Sequence, residues 1–66
     1  MNIYLNGEAR EVPDKMTAAG LVEELGLSGK RIAMEVNMEI VPRSAYHSHH
    51  LSEGDKVEIV HAIGGG

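Results

Sequence analysis

Only one stretch of this sequence repeats its apolar residues at helical spacing, and that limits the folds open to it. Ala18, Leu21, Val22 and Leu25 fall three and four residues apart, so they share one helical face. Thr17 precedes them as an N-cap whose hydroxyl can accept a free N–H of the first turn. Gly26 follows as a residue suited to the left-handed conformation that ends helices. The pattern predicts a helix from Ala18 to Leu25, with Glu23 and Glu24 in solvent. Gly20 inside it costs roughly 1 kcal/mol against alanine, so packing must hold so short a helix. A lone amphipathic helix needs an apolar surface to cover, and the rest of the chain must provide it.

That surface is a sheet. Met1, Ile3 and Leu5 alternate with Asn2 and Tyr4, the period of a half-buried strand. Asn6-Gly7 then marks a two-residue hairpin, because both residues tolerate the positive φ of a type I′ turn. The return strand is expected from Glu8 to Val12, before Pro13 stops the ladder. A strict two-residue turn sets Leu5 opposite Glu8 and Ile3 opposite Arg10, which brings two charged residues onto the apolar face. An edge position or a longer, bulged loop would relieve this. Ile32, Met34 and Val36 form a second one-sided strand, and Asn37-Met38 connects it to a short strand at Glu39 to Val41, closed by Pro42. Arg43 to Ser52 is polar and aperiodic and reads as a loop with at most one helical turn. The last strand is expected from Lys56 to Ala62, with Val57 and Ile59 inward and Glu58 outward. These elements make a two-layer α+β domain.

Length and composition exclude much else. A chain of 66 residues buries only about 60% of the surface its unfolded form exposes, so a deep substrate cavity would compete with stability. There is no cysteine, hence no disulfide, CxxC redox chemistry or thiolate zinc site; a reducing, cytoplasmic setting is expected. The first residues lack the basic and long apolar regions of a signal peptide, and no apolar run approaches the roughly 20 residues of a membrane helix. With a net charge of −4 and six scattered basic residues, nucleic acid is not an expected partner. The acidic surface fits either simple solubility or docking to a basic partner.

The last three residues, Gly64-Gly65-Gly66, carry the most chemistry. Without Cβ atoms, an extended glycine backbone can pass through a channel too narrow for other residues. Three residues reach at most roughly 10–11 Å, enough to carry a carboxylate into a partner's active site. Joined to AMP, that carboxylate becomes an activated acyl group open to a sulfur nucleophile. Glycine-rich ends are also commonly just frayed, and composition alone leaves both readings open.

At this point the chain resembles a known family, the sulfur-carrier proteins of thiamin thiazole biosynthesis. The resemblance runs through Asn6-Gly7-Glu8, Thr17, Leu21 to Leu25, Glu35-Val36-Asn37 and Glu39-Ile40-Val41-Pro42-Arg43 with Tyr46 beyond. It continues through Leu51, Glu53-Gly54-Asp55, Val57 to Val60 and Ala62-Ile63-Gly64-Gly65-Gly66. It implies a ubiquitin-like β-grasp: a mixed sheet of four to five strands on one main helix, with the first and last strands side by side. It implies a single domain over residues 1–63 and a flexible glycine tail over 64–66. It also implies that a ubiquitin-activating-type adenylyltransferase, using ATP and Mg²⁺, adenylates Gly66. A cysteine desulfurase or similar donor supplies sulfur, and the resulting thiocarboxylate serves thiazole synthase. The carrier contributes no catalytic side chain and holds no permanent cofactor. Many relatives have Ala or Val where this chain has Gly64, which should loosen the tail. Alternatives are sulfur donation to molybdopterin or another pathway, tagging of lysines, or a non-covalent β-grasp interaction domain.

Partner docking is expected beside the tail, where Val60, Ala62 and Ile63 are apolar, Val60 and Ala62 lie opposite Val57 and Ile59, and Tyr4 points outward from the first strand. The competing reading covers these residues with a loop or sheet edge. His47, His49, His50 and His61 invite a metal reading, but they lie in a polar loop or apart from it, so no metal site is expected. Met16, Met34 and Met38 read as gap-fillers or turn residues. Arg43 could orient a partner carboxylate, but capping of nearby carbonyls is the favoured reading, and the scattered carboxylates form no catalytic pair.

Overall fold

Both residues of the Asn6-Gly7 turn are left-handed, at φ 50° and 86°, the geometry that matches the twist of a two-residue hairpin. The computed structural model describes residues 1–61. In it the turn joins β1 (Asn2–Leu5) to β2 (Glu8–Glu11). The strict register holds: Leu5 faces Glu8 and Ile3 faces Arg10, with no bulge. The conflict of two charged residues on the apolar side is relieved because β2 is the outermost strand. There Glu8 reaches solvent, whereas Arg10 is half-buried and its Nε is covered without a hydrogen-bond partner among the described residues.

The second hairpin joins β3 (Ile32–Val36) to β4 (Glu39–Val41) through Asn37 and Met38, at φ 52° and 71°. Methionine has no preference for this backbone region, and it sits 92% exposed at the turn tip. The last strand, β5 (Lys56–His61), completes a five-stranded sheet in the order β2-β1-β5-β3-β4. β5 runs parallel to β1 and antiparallel to β3, so the first and last strands are neighbours in the centre of a mixed sheet.

Helix α1 (Ala18–Glu24) crosses one face. Its Ala18, Leu21 and Val22 pack into a core with Ile3, Met34, Val36, Val41, Val57 and Ile59. Leu25, expected to be its last residue, is the C-cap. Gly26 follows at φ 73°, and the Gly26 and Leu27 N–H groups donate back to the Glu23 and Val22 carbonyls at 3.0 and 2.9 Å. That paired closure satisfies two of the carbonyls that the helix end leaves free.

At the other helix end the long loop proves to be structural. It opens with a single 3-10 turn at Arg43–Ala45, and its Tyr46 and Leu51 are buried in the core. Of the N–H groups that a helix start leaves free, Ala18 donates to the His49 carbonyl and Ala19 to the Tyr46 carbonyl, both at 2.9 Å. Gly20 donates to the Thr17 hydroxyl at 3.0 Å. A seven-residue helix, too short to stand alone in water, is thus capped from both directions. The same polar, aperiodic stretch thus supplies two core side chains, Tyr46 and Leu51, and two capping carbonyls, those of Tyr46 and His49.

Candidate functional site

The strand that leads to the glycine tail is held on both edges. On one edge β5 pairs with β3 from Val57–Val36 through His61–Ile32. On the other it pairs with β1 only at Tyr4–Lys56 and Leu5–Val57. The two hairpin asparagines extend these ladders. Asn37 N–H donates to the Lys56 carbonyl at 2.8 Å, and its Oδ1 accepts from the Lys56 N–H at 3.0 Å. Its Nδ2 also donates to Asp55 Oδ1 at 3.0 Å. Asn6 Oδ1 accepts from the Ile59 N–H at 2.9 Å, and Asn6 Nδ2 donates to the Ile59 carbonyl at 3.2 Å. Turn residues therefore do a second task, fixing the start and the far part of β5.

Side chains alternate along β5, so Val57 and Ile59 enter the core while Lys56, Glu58 and Val60 face away from the helix. The opposite face carries no covering element among the described residues. Tyr4 is 47% exposed there, Val60 58% and Ile40 74%. Among the described residues, no loop or sheet edge covers Val60. Register separates Tyr4 from Val60, however. Tyr4 stands beside Lys56 and Val60 opposite Ala33, four residues apart along β5, or roughly 13 Å. Between them Glu58 lies opposite Glu35, with Ile40 next to Glu35 on the following strand. A shallow cleft of about 270 Å³ opens beside Tyr4, lined also by Gly7, Lys56, Val57 and Glu58. Ile40 was missed at the level of sequence. Its signal was the alternation against Val41, which turns inward.

Ala62, expected to end the last strand, and Ile63, Gly64, Gly65 and Gly66 lie outside the described residues. Arg43 has the capping role expected of it, its guanidinium donating to the Lys30 carbonyl at 3.0 Å. His47, His50 and His61 are exposed and His49 is partly covered. Among the described residues no three His, Asp or Glu side chains stand together as a ligand set. No helix among them is long and apolar enough to cross a membrane.

A family model described as the ThiS family matches residues 3–66. The chain belongs to the ThiS family. Two kinds of relative accompany this assignment. The sulfur carrier protein ThiS of Bacillus subtilis is 35% identical over 65 residues, covering 97% of this chain and 98% of its own. A thiazole synthase of Paramagnetospirillum magneticum is 46% identical over all 66 residues, yet this chain spans only 20% of its length. The crystal structure of the thiamine biosynthesis protein ThiS from Geobacter metallireducens superposes with a TM-score of 0.87 at 28% identity, over 100% of both chains. Family and structure agree: this is a ThiS-family chain with the ubiquitin-like β-grasp fold, one helix on a five-stranded mixed sheet.

Proposed function

We propose that this chain carries sulfur on its terminal glycine and delivers it for thiazole formation in thiamin biosynthesis. The observation that carries this reading is the extent of the family match, which runs through the glycines to Gly66. A Gly66 carboxylate oxygen attacks the α-phosphorus of ATP, and pyrophosphate leaves. The outer sulfur of a donor persulfide then attacks the acyl carbon of the adenylate and AMP leaves; a thiol cleaves the resulting acyl disulfide, forming a disulfide with the donor sulfur and releasing the thiocarboxylate. The adenylyltransferase supplies the Mg²⁺ and the catalytic groups, and a cysteine desulfurase or similar donor supplies the sulfur. The carrier's task is presentation: Gly64 and Gly65 form the thin arm, while Tyr4, Val60, Ala62 and Ile63 meet the partner's surface. Thiazole synthase is the acceptor. A segment similar to this whole chain within a protein named thiazole synthase supports that pairing.

The test is intact mass spectrometry after incubation with ATP, Mg²⁺, a ubiquitin-activating-type adenylyltransferase and a sulfur donor. One oxygen should be exchanged for sulfur, and deletion of Gly66 should abolish both the exchange and the preceding adenylate. A chain that forms no adenylate under these conditions, yet binds the same enzyme equally well with or without Gly66, would be a non-covalent module instead.

A further inference from the structure

The β1–β5 ladder stops before β5 does. At Asn6 the β1 backbone turns away into the hairpin, after its N–H has donated to the Val57 carbonyl at 2.8 Å. The next main-chain groups of β5 on this side belong to Ile59, and a peptide group in that position needs a partner. The Asn6 side chain takes the place of the missing strand. Its amide offers one acceptor and one donor, like a peptide group, and meets the Ile59 N–H at 2.9 Å and the Ile59 carbonyl at 3.2 Å. The turn narrows the choice of residue. At φ 50° this position favours Asn, Asp or Gly. Asp lacks the donor and Gly lacks the side chain, so of the three only Asn completes the rung.

We propose that Asn6 is a positioning residue for the carrier reaction: by clamping Ile59 it fixes the direction in which β5 delivers the chain to the activating enzyme. This rests on the proposed function above. Among the described residues, Ile59 is the last point at which β5 is tied to the β1 side. Without the rung, the end of β5 is held along its β3 edge alone and samples more directions. Only some of these lead into a partner's channel, so apparent affinity falls with the competent fraction. Once the tail is bound, the reacting groups are unchanged and so is the turnover rate.

Two substitutions isolate the clamp. Asn6→Gly keeps a residue suited to the turn and removes the whole side chain, whereas Asn6→Asp keeps the acceptor and loses the donor. Asn37→Gly is the control, since Asn37 ties the start of β5 at Lys56 and not its far part. With each protein shown to be folded by circular dichroism, ATP–pyrophosphate exchange is measured with a ubiquitin-activating-type adenylyltransferase. Asn6→Gly should raise the KM for the carrier about 3–10-fold with kcat within about twofold. Asn6→Asp should fall between, and Asn37→Gly should leave KM close to its original value. By NMR, the Ile59 amide should exchange at least about tenfold faster in Asn6→Gly while the Met34 amide keeps its protection. An unchanged KM beside a fast Ile59 amide would overturn the proposal, as would equal losses in Asn6→Gly and Asn37→Gly. If the unaltered chain supports no exchange at all, the carrier reading itself fails, and the positioning role falls with it.

Discussion

The two faces of the sheet are built from strands of the same chain but answer to different demands. On the helix side, Ile3, Leu21, Met34 and Val57 are completely buried, and each free N–H of α1's first turn finds an acceptor. On the other side, Tyr4, Val60 and Ile40 stand in solvent. There Glu35 and Glu58 are placed directly opposite one another, an arrangement that costs stability on a sheet. One face packs a core, with the Arg10 Nε as its one buried side-chain polar atom left unpaired among the described residues; the other leaves apolar area open and tolerates like charges. Residues that hold the fold and residues proposed to meet a partner therefore lie on different faces, and mutations should sort the same way.

The largest effect is expected on the covered side. Leu21→Ala should cost about 2–5 kcal/mol, seen as a sharp fall in the denaturation midpoint; that is a large part of the stability of a domain this size. A loss below about 1 kcal/mol would mean that the helix side does not dominate the fold. Next comes the open side. Val60→Asp should weaken binding to the activating enzyme about tenfold or more by calorimetric titration, while thermal unfolding changes by less than about 0.5 kcal/mol. If stability fell as far as affinity, the two faces would not be separable. A smaller effect tests the helix cap: Thr17→Ala should cost about 1 kcal/mol and leave partner affinity alone. The smallest has the opposite sign. Glu58→Lys should stabilise the chain by about 0.2–1 kcal/mol by replacing a repulsion with an attraction across the strands, and added salt should shrink the gain.

Local chemistry was legible in the sequence wherever neighbours in the chain decide the outcome. The helical face, the Thr17 cap, the Gly26 terminator and the Asn6-Gly7 turn all follow from residues within a turn or two of each other, whereas the register of that hairpin stayed open until the structure showed it to be strict. The strand order came from family resemblance, because periodicity says which face is buried and not which strand lies beside which. The stretch from Arg43 to Ser52 shows why the rest was hidden. Tyr46 and Leu51 follow no period, and the carbonyls that cap α1 are backbone groups that carry no sequence signal. The asparagines were legible as turn formers and not as clamps on β5, since Asn6 and Ile59 are 53 residues apart. On the open face, alternation identified Tyr4 and Val60 as outward, but only the register shows that Glu58 lies between them.

The central place of β5 has a consequence for how the protein is made. Of the five strands, β5 is the last in chain order, so until synthesis reaches it the two hairpins and the helix have no strand between them. Isolated hairpins are marginal in water. A product broken off before Lys56 therefore lacks the strand that joins the two hairpins into one sheet.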